Sequence, residues 1–471
     1  MTRNNRAVRR WNALPDLTHP FLICDDTTYT YEHVWFEIER IHRLLQHHRI
    51  RSFQAVGLSS FSPCYFAIGL LALLAWDLAV VPLNPKAPRE EWQRQLKEAH
   101  CGIWLHDNHG SGKSPGWILE SHTPESDAPW QENFSGMILF TSGSTGQPKT
   151  VGLAQDQLWE QALTVKMTHQ LTEHSRGYSP LPLFHVNAPV IALFSTFLAG
   201  GTIILDPFNR QTFWNTVQKQ DANWINAVPA ILTILSHQAH ELPLTGTGPH
   251  GSIRFIRSAS APLGHVLLER IEEQFGVPVI ESYGMTEACG PITVNTDPLG
   301  QRGPAGSVGR PRNIMVRLIN SEVWIKGGPV IRSHLPMNAW ALSEMTGGWY
   351  HTGDLGHFDK EGYLYLDGRV KDVIKRGGES IFPREVEEVL QKDKRVQECV
   401  VVGRPHPILG EEPIAYIVSS DPDIEETLRE LSTKHLSPYK RPVAYHFVEA
   451  LPKNATGKIQ RRMLVKEGQH A

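Results

Sequence analysis

Residues 137–153 read MILFTSGSTGQPKTVGL, and the rest of the chain can be organised around this stretch. Its apolar ends, residues 137–140 and 150–153, predict two short strands joined by a tight polar turn. Glycines in the turn let backbone N–H groups point at an anion, the Ser and Thr hydroxyls add donors, and Lys149 adds a positive charge. The sequence therefore predicts a phosphate-binding connection between two strands.

Two other interpretations of this turn exist. A solvated Ser/Gly/Thr turn has the same composition, but the order of the donors favours phosphate. A Walker P-loop needs Gly directly before Lys and a helix directly after it, whereas Pro148 precedes Lys149 and a strand is predicted to follow. A P-loop phosphotransferase is therefore disfavoured.

Composition narrows the class of protein. The 471 residues carry a formal net charge of -3, so neither nucleic acid nor an anionic membrane is expected as a partner. The most apolar run, residues 66–81, contains Asp77 and is too short and too polar to span a membrane. Five widely spaced cysteines without a CxxC pair are typical of a reducing compartment, and we expect a cytoplasmic protein.

Strand and helix patterns alternate over the first 280 residues, which predicts parallel sheets covered by helices. Residues 107–132 are predicted to be a loop, and the apolar run after Pro189 is predicted to be a buried helix that ends at the glycine pair 200–201. A small antiparallel unit is expected from residue 306, and a separate α/β unit near the C-terminus. Strands are predicted at residues 55–58, 79–83, 102–105, 224–228 and 253–258, and helices at 64–74, 88–98, 158–167, 229–236 and 263–275.

Polar residues follow predicted strands at several points. In VIESYGMTEACG, residues 279–290, Tyr283 offers a flat surface for a base, and Glu287 is an acid suited to Mg²⁺. Asp354, in a turn flanked by glycines, could accept both hydroxyls of a ribose, with Arg369 as a second contact. Each motif alone is weak, because such residues are ordinary in turns.

Two further residues have ordinary and functional interpretations. His185 lies at the entrance of the apolar segment and could be a gate or a hydrogen-bonded core histidine. Lys458 follows Thr456 and Gly457 near the C-terminus and could be a solvated surface charge or a mobile cation. The charged segment 369–376, bracketed by glycines, is predicted to join two units.

Together these motifs resemble the acyl-CoA synthetases and other acyl-adenylate-forming enzymes, which include 4-coumarate ligases, firefly luciferase and the adenylation domains of peptide synthetases. The resemblance covers roughly residues 29–463, and FIRSASAPL and SYGMTEACGPITVN are similar to the oxalate–CoA ligase branch. The motifs, in the order of the family, are FTSGSTGQPK, PLFHV, ESYGMTE, YHTGDLG, GRVKDVIKRGGESIFPREVE and PKNATGKIQRR.

The resemblance implies an α/β multidomain fold. Two doubly wound α/β subdomains plus a small β-barrel would form an N-terminal adenylate-forming domain, residues 1–368. Residues 369–372 would form a hinge at Asp372, and residues 373–471 a separate small α/β C-terminal lid domain that swivels.

The implied reaction has two half-steps and uses ATP, Mg²⁺ and coenzyme A. A small-molecule carboxylic acid and ATP give acyl-AMP and pyrophosphate, and the thiol of coenzyme A then displaces AMP. One alternative is an adenylation enzyme that loads the phosphopantetheine thiol of an acyl carrier protein. A non-catalytic nucleotide-binding module is an alternative from another class.

The resemblance also implies roles for individual residues. ATP or AMP would be bound by Thr141, Ser142, Gly143, Ser144, Thr145, Gly146, Lys149, Ser260, Ala261, Pro262, Glu281, Ser282, Tyr283, Asp354, Arg369 and Lys375. Lys458, Thr286 and His185 would be catalytic, Glu287 would bind the metal, and Gly377 and Gly378 would contact coenzyme A. The acyl pocket would contain His185, Asn187, Arg257, Ser258, Gly284 and Met285.

Arg257 has two interpretations. It could pair with a second carboxylate of a small acid, or it could be a structural ion-pair partner. The sequence also departs from the family at two segments. Residues 154–157, AQDQ, lack the His and Asn that often follow the phosphate loop, and residues 330–336 replace the usual Gly-Tyr segment.

Overall fold

The structure is a computed structural model that describes residues 16–108, 116–121, 133–141, 149–236, 253–297, 300–419, 421–453 and 459–467. Six of the residues that were assigned a role above lie outside this part of the chain. They are Ser142, Gly143, Ser144, Thr145, Gly146 and Lys458.

The described strands and helices follow the predicted alternation. The strands are Pro20–Cys24 (β1), Thr27–Thr30 (β2), Ala55–Ser59 (β3), Ala79–Pro82 (β4), Ile103–Asp107 (β5), Trp117–Ser121 (β6), Gly136–Thr141 (β7), Lys149–Ala154 (β8), Arg176–Tyr178 (β9), Thr202–Ile204 (β10), Trp224–Ala227 (β11), Phe255–Ser258 (β12), Val279–Met285 (β13), Gly290–Val294 (β14), Arg310–Pro311 (β15), Met315–Ile319 (β16), Glu322–Lys326 (β17), Met345–Thr346 (β18), Trp349–Phe358 (β19), Leu364–Arg369 (β20), Ile374–Arg376 (β21), Glu379–Ile381 (β22), Val396–His406 (β23), Gly410–Ser419 (β24) and Ala444–Phe447 (β25). The α-helices are Tyr31–His47 (α1), Pro63–Ala75 (α2), Arg89–Glu98 (α3), Gln155–Thr168 (α4), Ser195–Ala199 (α5), Phe213–Lys219 (α6), Pro229–Ser236 (α7), His265–Phe275 (α8), Pro383–Leu390 (α9), Glu425–His435 (α10) and Arg461–Glu467 (α11).

The first large sheet contains the opening stretch of the sequence. Its order is β6-β5-β3-β4-β7-β8, with β5, β3, β4 and β7 parallel and the two edge strands antiparallel to their neighbours. Thr141 and Lys149 are paired across β7 and β8, as predicted for a strand–turn–strand unit. The prediction of a loop over residues 107–132 is wrong for β6, which continues the sheet beside β5.

The second large sheet has the order β15-β14-β13-β12-β11-β9-β10-β1-β2 among the described residues. The strands from β1 through β10, β9, β11 and β12 to β13 are parallel, whereas β14, β15 and β2 are antiparallel to their neighbours. This arrangement places the ends of β12 and β13 side by side. Ligands of such α/β sheets bind at the carboxyl ends of the parallel strands.

One apolar core connects the two large sheets. It includes Val56 and Leu58 of the first sheet and Trp224 and Phe255 of the second, together with buried faces of α1, α2 and α4. Thr30 ahead of an apolar face at Val34, Ile38 and Ile41 predicts a helix with Thr30 as its N-cap. Helix α1 begins there, because the Thr30 Oγ1 accepts the backbone N–H of His33 at 3.2 Å. The two sheets are therefore held together by shared burial of apolar side chains.

The helix predicted after Pro189 is present but changes form. Ala188–Phe194 is a π-helix, α5 continues it, and Gly200 ends it in the left-handed region with φ 77° as predicted. The wider turn places one extra residue in the segment, a feature that is frequent at functional sites.

Two smaller sheets follow. The predicted antiparallel unit is the sheet β16-β17-β19-β18 with β20 beside β19, and the C-terminal unit is β22-β21-β24-β23 with β25 beside β24. Asp354 lies within β19 and not in a turn, which corrects the prediction for its position. The division at residue 368 and the hinge at 369–372 remain a proposal, consistent with β20 ending at Arg369 and a 3₁₀ turn at Val370–Asp372.

Two features of the chain complete the fold. Cys24 and Cys64 form a disulfide between β1 and α2, which differs from the reduced cysteines expected from their wide spacing. None of the helices in the described ranges combines the length and apolarity needed to cross a membrane.

Candidate active site

The predicted nucleotide residues on β13, β19 and β20 meet in one polar cluster. The hydroxyl of Tyr283 donates to Asp354 Oδ2 at 2.6 Å, and Arg369 Nε lies 2.8 Å from Asp354 Oδ1. Asp354 is buried, with 4% of its surface exposed. Burial and the Asp354 carboxylate raise the pKa of Tyr283 well above its usual value, so the phenol stays a donor.

A second cluster joins the end of the opening stretch to Glu287. Lys149 Nζ forms an ion pair with Glu344 and lies 4.2 Å from the ring centroid of Trp340. Glu344 also accepts the hydroxyl of Tyr350 at 2.9 Å. Burial raises the pKa of Glu287, and the nearby Lys149 opposes that rise. The cluster therefore contains two carboxylates and one ammonium group.

Glu344 was not predicted from the sequence. It ends the 3₁₀ helix Pro336–Glu344, which follows directly on the unusual segment 330–336. The unusual sequence of residues 330–336 could have drawn attention to this region. Nothing in the sequence shows, however, that Glu344 contacts Lys149, 195 residues earlier in the chain.

The two unusual segments contact each other. Gln157 Nε2 donates to the backbone carbonyl of Val330 at 2.8 Å, and Arg332 donates to both Asp156 oxygens at 3.1 and 2.6 Å. The N–H of Ile331 in turn donates to the backbone carbonyl of Glu287 at 2.6 Å. We call these contacts the 156–332 clamp. It fixes the backbone that carries Glu287.

Gly284 allows a close approach of two strands. A Cβ atom on Gly284 would lie 2.0 Å from the carbonyl oxygen of Gly290, which a side chain cannot do. The glycine therefore permits the shift in register between β13 and β14. Thr286 then starts the short 3₁₀ turn Thr286–Ala288, next to Met285 at the end of β13.

The predicted acyl pocket has a polar, buried floor. Arg257 on β12 is 2% exposed and donates to Asn226 Oδ1 at 3.0 Å and to Ser282 Oγ at 2.6 Å. Burial lowers its pKa to about 9, and no described carboxylate forms an ion pair with it. The structural ion pair considered from the sequence is therefore not found among the described residues. Ser258 is also buried, and its hydroxyl has no partner within them.

His185 follows β9 at the start of the π-helix segment. Its Nε2 is buried without a hydrogen-bond partner among the described residues, and burial lowers its pKa to about 4. The imidazole is therefore neutral near pH 7, which suits an apolar gate better than a cation.

Several predicted residues lie away from these clusters. Lys375 donates to Ser380 Oγ at 2.6 Å within the C-terminal sheet. Gly377 and Gly378, with φ of 57° and 91°, form the turn between β21 and β22. Asp372 ends the 3₁₀ turn after β20, 3.9 Å from Arg461 Nε. Ser260 has φ 75° beyond β12, followed by Ala261 and Pro262.

Glu281 is a buried carboxyl on β13 whose Oε2 has no partner among the described residues. Burial raises its pKa to about 7 from 4.5. The folded protein therefore holds a proton between about pH 4.5 and 7 that the unfolded chain releases. We expect stability from this group to be lost as the pH rises through that window, by on the order of 3 kcal/mol above pH 7.

Glu281→Gln isolates this effect. The variant should gain stability over the parent as the pH rises from 5 to 8, in thermal unfolding midpoints measured at both values. Glu425→Gln, at a more exposed acid on α10 that pairs with Arg429, serves as the control. A difference between Glu281→Gln and the parent that does not change with pH would contradict the shifted pKa.

The residues around Glu287 and Asp354 are chemically suited to bind Mg²⁺ and a nucleoside triphosphate. Mg²⁺ prefers carboxylate oxygens, which Glu287 provides, and Lys149 lies beside it as a cation for phosphate. The Tyr283–Asp354–Arg369 cluster supplies an aromatic face and polar groups of the kind a nucleoside needs.

Family models, curated relatives and solved structures all match this chain. The family model described as AMP-binding enzyme matches residues 9–324, and the model described as AMP-binding enzyme C-terminal domain matches residues 385–458. The chain is 32% identical to an oxalate–CoA ligase of Arabidopsis thaliana over 90% of both proteins. It is 34% identical to a sulfoacetate–CoA ligase of Cupriavidus necator over 73% of this chain and 68% of that protein.

Solved structures that are similar to this chain include the o-succinylbenzoate–CoA synthetase of Bacillus subtilis in complex with ATP and magnesium ion. It matches with a TM-score of 0.82 and 27% identity over 98% of this chain and 99% of that one. The same synthetase in complex with its acyl-adenylate intermediate matches with a TM-score of 0.80 and 26% identity over 98% and 97% of the two chains. The fold class predicted from the sequence is confirmed, as is the predicted resemblance. The chain therefore belongs to the AMP-binding enzyme family, and it is an acid–thiol ligase of the AMP-forming kind.

Proposed function

We propose that this protein joins a small carboxylic acid to coenzyme A in the cytoplasm, where ATP and coenzyme A are supplied. The acid carboxylate attacks the α-phosphate of ATP to give acyl-AMP and pyrophosphate. The thiol then attacks the acyl carbon and releases AMP. The observation that supports the proposal is the Tyr283–Asp354–Arg369 cluster. It lies beside Glu287 and Lys149.

In this proposal Tyr283 stacks on adenine, and Asp354 with Arg369 holds the ribose. Lys149 and the turn before it hold the β- and γ-phosphates, and Thr286 contacts the α-phosphate. Glu287 binds Mg²⁺, which neutralises charge on the departing pyrophosphate. Lys458 supplies the cation between the acid and the α-phosphate, because two anions would otherwise repel each other.

The lid is proposed to serve the two half-steps in turn. Rotation at Asp372 would withdraw Lys458 and bring the turn with Gly377 and Gly378 toward acyl-AMP, opening a path for the pantetheine arm. The relatives reported above are CoA ligases, which favours coenzyme A over a carrier-protein thiol. Because two of them are named for oxalate and sulfoacetate, we propose that the acid is small.

A panel of acids tests this function. The protein, ATP and Mg²⁺ are incubated with each acid, and pyrophosphate release is measured with and without coenzyme A. We expect AMP and pyrophosphate, with release increased by coenzyme A because the acyl-AMP is consumed. ADP as the nucleotide product would indicate a phosphotransferase, and no turnover with any acid would leave only a binding protein.

A further inference from the structure

The carboxylate of Glu344 is held against the lysine that is proposed to bind phosphate. Its Oε1 forms an ion pair with Lys149 Nζ, and its Oε2 accepts the hydroxyl of Tyr350 at 2.9 Å. The ammonium group of Lys149 also lies 4.2 Å from the ring centroid of Trp340. Only 22% of the Lys149 side chain and 35% of the Glu344 side chain are exposed. The two charges are therefore partly shielded from water.

The helix that carries Glu344 is fastened along β8. Asn338 Oδ1 accepts the backbone N–H of Gly152 at 2.8 Å, and Asn338 Nδ2 donates to the carbonyl of Gly152 at 2.8 Å. These two bonds tie the 3₁₀ helix Pro336–Glu344 to the strand that begins at Lys149. The ion pair is therefore built into the fold, because the backbone on both sides of it is fixed.

A second carboxylate lies close to this pair. Burial raises the pKa of Glu287, Lys149 opposes the rise, and Glu344 adds to it. The three side chains thus act on one another through their charges. Two carboxylates face one ammonium group, so negative charge is in excess when both acids are ionised.

A phosphate at Lys149 would share the ammonium group with Glu344. An ammonium group has three N–H donors, so the pairing with Glu344 leaves donors for a phosphate oxygen. The charge of Lys149 is already neutralised, however, and the phosphate would meet a carboxylate of like charge beside it. A divalent metal ion bound to the phosphates brings the positive charge that offsets this repulsion.

We propose that Glu344 determines which form of the nucleotide binds, by admitting ATP that carries Mg²⁺ and rejecting ATP that lacks it. This inference rests on the proposed nucleotide site at Lys149. Glu287 remains the proposed metal-binding acid, while Glu344 acts through its charge on the phosphates beside it. The ring of Trp340 is neutral, so it holds the ammonium group without adding to the repulsion. ATP thus enters with the metal ion that the departing pyrophosphate needs.

Binding of ATP with and without metal tests this proposal. Labelled ATP and the full chain are brought to equilibrium by dialysis, in excess Mg²⁺ or in excess EDTA, and the two Kd values are compared. The parent should bind metal-free ATP at least about tenfold more weakly, because like charges placed together cost at least that much. Glu344→Gln should tighten the metal-free Kd at least about tenfold and change the Kd with Mg²⁺ less than about threefold.

Two further variants separate the charge of Glu344 from its place in the fold. Glu344→Asp keeps the negative charge, so it should keep most of the metal dependence of the parent. Glu361→Gln is the matched control, because it removes one negative charge from an exposed acid in the turn between β19 and β20. It should leave both Kd values within about threefold of the parent, since an exposed charge is screened by salt.

The outcomes separate this inference from the proposed function. If the parent binds ATP in neither condition, the proposed nucleotide site itself is wrong. If the parent binds both forms equally, or if Glu344→Gln leaves their ratio unchanged, the ligase activity stands and the role of Glu344 is wrong. A Glu344→Gln variant that only binds ATP with Mg²⁺ more weakly would make Glu344 a metal ligand, which also overturns the proposal.

Discussion

Replacing Lys458 with Ala should lower adenylation about 10²- to 10³-fold. The acid carboxylate and the α-phosphate are both anionic, and Mg²⁺ is proposed to lie on the pyrophosphate side at Glu287. A second cation is therefore needed where the new bond forms. Removing one preorganised donor at such a point usually costs a rate factor of this size. Exchange of labelled pyrophosphate into ATP measures this half-step directly.

Lys453→Ala is the matched control for this variant. Lys453 lies in the same motif, but its ammonium group pairs with Glu398 at 2.5 Å on the C-terminal sheet. Lys453→Ala should therefore exchange pyrophosphate at the rate of the parent. The role of Lys458 would be wrong if its Ala variant stayed within about threefold of the parent in the same assay.

Replacing Asp372 with Pro should leave adenylation intact and block thioester formation. Proline fixes φ near −65° and also disfavours the helical conformation for the preceding Lys371, so two residues lose rotational freedom. A lid that works in both half-steps needs at least two geometries at this point, whereas adenylation needs one. Single-turnover assays that follow acyl-AMP formation and its transfer to coenzyme A separate the two rates.

Asp372→Asn controls for the loss of charge near Arg461. It keeps the freedom of the backbone, so both half-steps should proceed at close to the rates of the parent. Equal loss of adenylation and thioester formation in the Pro variant would show damage to the fold rather than a restricted hinge.

Much of the fold follows from local sequence signals. The hydroxyl of Thr30 predicts the start of α1, and the pattern around residue 137 predicts two strands separated by a turn. The motifs also predicted Tyr283, Asp354 and Arg369 as nucleotide contacts, and the structure brings these three side chains together. Such predictions succeed because caps, strand patterns and motifs are encoded by neighbouring residues.

The remaining features depend on contacts between distant segments. Strand β6 is short and lies in a polar stretch, so only its pairing with β5 identifies it. Glu344 becomes part of the site only when the 3₁₀ helix before β18 reaches Lys149. Asn226 looks like an ordinary residue of a buried strand, and only the fold shows that it accepts from Arg257 and donates to Asn187. No local sequence pattern shows that these distant residues lie close together in the fold.

The 156–332 clamp bears on how this enzyme can be altered. Each half of the clamp departs from the family, and each hydrogen-bonds to the other. Replacing Asp156 and Gln157 alone would remove the donor for the carbonyl of Val330 and the carboxylate that accepts from Arg332. A chimera that takes both segments from one relative should therefore be more stable than a chimera that takes only one of them. The side chains of each segment need their hydrogen-bond partners in the other.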